Sequence, residues 1–218
     1  MPSVEAVLFD FSGTLASLEA DDSWYDGMGL DAERKAEVLD RLTHPTASVS
    51  HPAWAYRDLE PALHREAYLH ALSSSGLPDA HATSLYERCI DPTEWQLYPD
   101  TVPVLKTLRD SGVATAVVSN IAWDIRRVLV PAGAEADEYV LSFEVGAAKP
   151  DTRIFEAALS RLGVDADRTL MVGDSEENDG AARLLGCGFA LVEPLPVTER
   201  SAGLVEALRR HGIFADTG

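Results

Sequence analysis

The 218-residue chain carries 36 Asp and Glu against 18 Lys and Arg, a net charge of −18; this sets aside nucleic acid and anionic membrane as default partners. Its two cysteines, Cys89 and Cys187, are in no C-x-x-C spacing, which argues against a disulfide framework or a zinc site and for reduced thiols. The stretch "MPSVEAVLFDF" has no basic flank and an acid inside its apolar run, so it reads as neither signal peptide nor membrane span, and a cytoplasmic protein is expected.

The first element is "VLFDFSGTL", residues 7–15, an apolar run that stops at Asp10 and breaks into Ser12, Gly13 and Thr14. A short apolar run bounded by a glycine turn predicts a core strand, and an acid at its carboxyl end points into a crevice. Residues 16–94 differ in character. "DAERKAEVLDRL", "EPALHREAYLHAL" and "LPDAHATSLYERCI" read as helices, with no convincing strand among them. The last places Ala82, Leu85, Tyr86 and Cys89 at helical spacing, with Pro78 in its first turn. Between the first two, "THPTASVSHPAW" is rich in proline and serine, has no period, and is read as a mobile loop.

In "LYPDTVPVLKTLRDSG", Asp100 or Thr101 can cap a helix that has Pro103 in its first turn and stops at Gly112. "VATAVVSN" is a β-rich run, and in "WDIRRVLV" Ile125, Val128 and Leu129 share a helical face. "EYVLSFEVG" reads as a strand and "DTRIFEAALSRLG" as a helix ended by Gly163. "TLMVGD" is a third short strand, followed by a small-residue helix through "GAARLLG". "GFALVEP" and the amphipathic "GLVEALRRHG" come last.

Strands alternating with helices of this length predict parallel βαβ units, hence an α/β fold with a doubly wound, mainly parallel sheet. An α/β core at 1–15 and 95–218 and an all-helical insertion at 16–94 are expected. Ligands of such sheets bind beyond the carboxyl ends of the strands, where "VLFD", "VVSN" and "MVGD" place Asp10, Ser119 and Asp174.

Four pieces stand in order: Asp10 to Thr14, Ser119 with Asn120, Lys149 in "AAKPD", and "GDSEEND" at 173–179. Together they resemble the haloacid dehalogenase superfamily of hydrolases, including its helical cap inserted after the first strand. The resemblance implies that Asp10 is a nucleophile that forms an aspartyl-phosphate. Gly13 lets the loop turn so that backbone N–H groups face the phosphoryl oxygens, with Thr14, Ser119 and Asn120 adding hydrogen bonds. Lys149 is expected to neutralise nucleophile and phosphoryl charge, a local cation that so acidic a chain needs. A Mg²⁺ ion would be held by Asp10, Asp174 and the Ser12 carbonyl, with Asp179 mostly behind them. Glu176, Glu177 and Asn178 remain open between capping and binding. The implied activity is a Mg²⁺-dependent phosphatase of a small phosphorylated metabolite, as monomer or homodimer.

One position departs from that family. Its phosphatases carry a second aspartate two residues after the nucleophile, a general acid and base worth about 100- to 10,000-fold, and this chain has Ser12. Three explanations compete. The enzyme acts on stable leaving groups or borrows a carboxylate from the cap side, with Glu19, Asp21 and Asp22 nearest in sequence; this is the favoured one. Otherwise attack falls on carbon, as in dehalogenases and phosphonatases; the former lack the paired acids of "GDSEEND", and the latter need a cap lysine, of which Lys35 is the only one in 16–94. In the third, the chain binds phosphorylated ligands with little turnover. The insertion also carries Trp24, Tyr25, His44, His51, Trp54, Tyr56, Arg57, His64 and Arg65. These read as a substrate-facing surface or, preferred, as aromatic core with solvated histidines.

Overall fold

The structure is a computed structural model, described for residues 4–43 and 51–214. His44 and most of the proline- and serine-rich stretch lie outside the described residues. Strand β1 (Ala6–Phe9) is followed by β2 (Ala16–Leu18), then by a helical insertion of α1 (Ala32–Thr43), α2 (Pro61–Ser74) and α3 (Asp79–Cys89) with short 3-10 turns between. The chain returns through β3 (Trp95–Leu97), α4 (Thr101–Asp110), β4 (Ala114–Ser119), α5 (Arg126–Leu129), β5 (Glu138–Leu141) and α6 (Ser142–Val145). It ends with α7 (Thr152–Leu162), β6 (Thr169–Gly173), β7 (Gly188–Leu191) and α8 (Gly203–Arg210).

Five strands form one sheet in the order β5-β4-β1-β6-β7, every pair parallel. Both faces are covered. Val7 and Phe9 pack with Val117, Leu170 and Val172 against Leu105 and Leu108 of α4 and Leu204 and Leu208 of α8. Leu8, Ala116, Val118 and Met171 point the other way, onto Ile154, Phe155 and Ala158 of α7. Burial on both faces is why these strands read as unbroken apolar runs. β1 sits in the middle, with β4 and β5 on one side and β6 and β7 on the other, so the crevice of a doubly wound sheet opens at its carboxyl end.

Four local expectations need correction. The 16–94 segment is not wholly without strand, because β2 pairs antiparallel with β3, Leu18 opposite Trp95, and the two form a ribbon at both ends of the insertion. "EYVLSFEVG" stops being a strand at Leu141, which pairs with Ser119, the last residue of β4; no neighbour remains beyond it, and the chain turns into α6. The segment after β6 is a 3-10 helix, Asp179–Leu185. Asp100 stands at the N-cap of α4, but its side chain makes no capping bond there. Its Oδ2 accepts the main-chain N–H groups of Leu204 and Val205 at 2.8 and 3.2 Å and so caps α8, tying two helices of one face together.

The insertion has its own core of Trp24, Tyr25, Val38, Leu42, Leu72, Leu85 and Tyr86. Aromatic core is thus correct for Trp24 and Tyr25, but solvated histidine is wrong for His64. Its ring is buried, stacked on Tyr68 and 3.0 Å from the Tyr86 hydroxyl. Cys89 and Cys187 are free and buried, and burial raises their thiols to about 12 and about 11. No helix of the described residues is long and apolar enough to cross a membrane.

Burial, with a smaller contribution from Arg57, lowers His64 to about 4 from an ordinary 6.5. The unfolded chain therefore takes this proton first, and stability falls as pH drops from 6.5 towards 4. The expected loss is about 3 kcal/mol. Urea unfolding of His64→Gln across this range should show a shallower acid-side decline than the parent chain, and an unchanged decline would show that His64 does not carry it.

Candidate active site

Three parallel strands end side by side, and each delivers a polar group to one place. Asp10 follows β1, its N–H donating to Val172 of β6 at 2.9 Å. Ser119 is the last residue of β4 and Asp174 follows β6. After Asp10 the chain turns tightly, Leu15 and Ala16 both donating to the Phe11 oxygen at 2.9 and 3.0 Å. Gly13 sits at φ +75°, and a Cβ there would strike the Asp174 carboxylate and lie 2.9 Å from Pro194. Glycine is required on both counts. Gly173 plays a similar part, since a Cβ on it would occupy the place of the Asp179 carboxylate.

At the centre lies Lys149, its side chain only 3% exposed. Its Nζ donates to Asp10 Oδ1 and to Asp179 Oδ1, each at 2.6 Å. The lysine is held by its backbone: Asn120 Nδ2 donates to the Lys149 oxygen at 2.8 Å, and the Lys149 N–H donates to Asn120 Oδ1 at 2.6 Å. Asp179 is fixed in turn, its Oδ2 accepting from the Ser175 N–H at 2.9 Å. Oxygens of Asp10, Asp174 and Asp179 lie within 4.8 Å of one another, a set of hard oxygen donors that fits a divalent cation such as Mg²⁺.

One ammonium thus bonds two carboxylates, with the third, Asp174, close beside those acids. Burial works against the charge on Lys149, but Asp10 and Asp179 outweigh it and hold the lysine above its ordinary range, fully charged. Asp10 is less well compensated. Burial raises it, Lys149 lowers it, and Asp179 and Asp174 raise it again, to about 7.

The site opens into a cavity of about 810 Å³ whose walls include Asp10, Ser12, Gly13, Ser119, Asn120, Lys149, Asp174 and Asp179. Of the sequence-derived site residues, Thr14 is not brought there. It is fully buried beneath the loop, and its main-chain oxygen accepts from Arg200 Nη2. Glu176 and Glu177 are exposed and off the cavity wall, while Asn178 lies on it. Arg57 and His64 are the only members of the aromatic and basic set from the insertion on the wall among the described residues, joined by Tyr68, Leu39 and Leu42. Lys35 pairs with Asp22 at 2.6 Å, away from the cavity. Asp21 caps the turn at Ser23, and Glu19 reaches the wall with its carboxylate taking the Val197 N–H.

Two residues at or near the site carried no sequence signal. Arg200 donates to the main-chain oxygens of Gly13, Thr14 and Glu193 and lies on the Tyr98 ring, clamping the loop after Asp10. Asp58, in a 3-10 helix without apolar period, also lines the cavity.

Residues 4–186 match the family model for haloacid dehalogenase-like hydrolases. The chain belongs to that family. This hydrolase is 37% identical over 118 residues to haloacid dehalogenase-like hydrolase domain-containing protein 3 of Mus musculus, covering 51% of this chain and 47% of that protein. It is 33% identical over 121 residues to a phosphoserine phosphatase of Thermus thermophilus, covering 53% and 49%. It spans about half the length of both relatives. The crystal structure of a haloacid dehalogenase-like phosphatase from Thermococcus onnurineus superposes with a TM-score of 0.57 at 25% identity, covering 87% of this chain and 86% of that one.

Proposed function

We propose that this hydrolase is a phosphatase of a small phosphorylated metabolite, working through an aspartyl-phosphate on Asp10 and requiring Mg²⁺. The observation that carries the reading is Asp10 itself, a buried carboxylate at the mouth of the central strand, bonded to one lysine and flanked by two further acids. A nucleophile, a charge-neutralising cation and a set of metal donors share one point of the cavity. Asp10, Asp174 and the Ser12 carbonyl would hold Mg²⁺, with Asp179 orienting Lys149 and the donors; the ion's chemistry is to offset phosphoryl charge.

Asp10 attacks phosphorus while the Ser119 hydroxyl and the loop N–H groups take the phosphoryl oxygens, and Lys149 keeps the nucleophile in line. Asn120 serves by fixing Lys149, since its amide already bonds that residue at both ends. In this reading residues 1–15 and 95–218 are the catalytic core and 16–94 a cap, less the β2 strand, that supplies Leu39, Leu42 and Tyr68 to the substrate's organic part. The similarity to a phosphoserine phosphatase supports the same choice of reaction.

Phosphate release should be measured over a panel of phosphorylated metabolites and aryl phosphates, with Mg²⁺ and with EDTA. Turnover with Mg²⁺ and a fall of about 100-fold or more in EDTA is expected, for a step whose charge the ion offsets. Metal-independent halide release from 2-haloacids, with no phosphate release, would overturn the proposal.

A further inference from the structure

Asp58 lies on the wall of the cavity that holds Asp10, Ser12 and Lys149. It comes from the insertion yet is tied to the sheet: the Ser142 hydroxyl, which accepts from the Ile121 N–H at 2.9 Å, donates to the Asp58 main-chain oxygen. Ile121 directly follows the Ser119–Asn120 pair, so Asp58 is referenced to the strand end that carries the site. Its side chain is 15% exposed and 3.2 Å from Arg57 Nη2. Arg57 is itself set by its bond to the Trp54 oxygen at 3.0 Å and by the Trp54 ring. Arg57, Lys149 and Tyr68 are the charged or titratable groups that act on Asp58 or feel its charge.

Five acids line the cavity: Asp10, Glu19, Asp58, Asp174 and Asp179. Asp10, Asp174 and Asp179 form the central cluster, and Glu19 holds the Val197 N–H. Asp58 stands apart from that cluster.

We propose that Asp58 performs the proton transfers for which Ser12 has no group. The inference rests on the phosphatase reading above. In the first half-reaction an Asp10 oxygen bonds to phosphorus, the bond from phosphorus to the ester oxygen breaks, and that oxygen takes the Asp58 proton and leaves as an alcohol. In the second, water bonds to phosphorus, one of its protons passes to the Asp58 carboxylate, and the bond from phosphorus to Asp10 breaks. Inorganic phosphate leaves, with Asp10 ionised and Asp58 protonated as at the start. Burial raises the Asp58 carboxyl against the pull of Arg57 and Lys149, which favours a proton being present for the first half-reaction.

The test is Asp58→Asn, nearly equal in shape, assayed with Mg²⁺ on alkyl phosphates and on aryl phosphates of graded leaving-group acidity. Alkyl kcat/KM should fall about 100-fold or more, the range of a lost general acid. For the most acidic phenols kcat/KM should stay within about threefold, because their departure needs no proton. Their kcat should drop instead, with a burst of one equivalent of phenol per enzyme as the aspartyl-phosphate accumulates. Ser12→Asp added to Asp58→Asn should restore alkyl turnover, which repair of a merely structural defect would not do.

Equal losses on alkyl and acidic aryl esters without a burst, or no loss on either, would overturn the role of Asp58 while leaving the phosphatase reading intact. Absence of phosphate release by the parent enzyme would overturn that reading first. If Asp58→Asn does not fold, Asp58→Glu serves: a shifted carboxyl should lower alkyl kcat/KM more than that of acidic aryl esters, and equal effects would count against the proposal.

Discussion

Replacing Asp10 with asparagine is expected to lower phosphate release by about 10,000-fold or more, as loss of a nucleophile does when its partners cannot act alone. The parent enzyme, quenched in acid during turnover of a labelled ester, should carry the label on the protein, and the variant should carry none. Residual turnover above about one part in a hundred would exclude Asp10 as the nucleophile. The same substitution should not cost stability. Burial and two neighbouring acids raise Asp10 above its unfolded value of 3.8, to about 7, against the pull of Lys149. The folded state therefore binds this proton more tightly, and the parent chain loses stability as pH rises from 3.8 through 7. In EDTA at pH 8, Asp10→Asn should melt at or above the parent temperature, and the difference should vanish below pH 4. An active site that is locally destabilising is a common condition of catalysis.

Replacing Lys149 with methionine should do the opposite to stability and the same to turnover. The lysine is 3% exposed and its partners Asp10 and Asp179 are 9% and 1% exposed, so removal of the cation strands buried carboxylates. Breaking such a pair from one side costs about 3–5 kcal/mol, or roughly 10 °C in a domain of this size. Loss of the cation raises Asp10 further, so the deficit should be largest at pH 8 in EDTA and narrow at pH 5, where Asp10 can take a proton. Thermal melts at the two pH values measure this. A variant that melts with the parent at pH 8 would mean that the lysine is not the compensating charge.

Asp10, Ser119 and Asp174 were legible because each ends an apolar run, and the end of a parallel strand is a fixed place in a doubly wound sheet. Lys149 was legible from its motif, although nothing local reveals that Asn120 grips its backbone on both sides. Thr14 is buried and off the cavity wall, and nothing in the turn's sequence tells a threonine that faces a ligand from one that packs inward. Asp100 misled for a like reason, as an acid before a helix caps whichever helix packing brings to it. Asp58 sits in a 3-10 helix without a usable period. Of the cap-side acids nearest Ser12 in sequence, Glu19 took the Val197 N–H, and Asp21 and Asp22 went to a turn and to a surface pair with Lys35. Spacing along the chain ranks residues by position, and the cavity selects them by packing across it.

The Arg200 clamp bears on how the enzyme is born. Arg200 grips Gly13 across 187 residues of sequence, and β1, ahead of the other strands of its sheet in the chain, lies between β4 and β6. A nascent chain that has left the ribosome as far as β4 holds Asp10 but not Lys149, the partner acids or the arginine that shapes the loop. Its first strand has an incomplete sheet around it, with the exposed edges that chaperones recognise. The loop that shapes the site is therefore completed only once residue 200 is available, and a nascent chain that stops short of it lacks the clamp on Gly13.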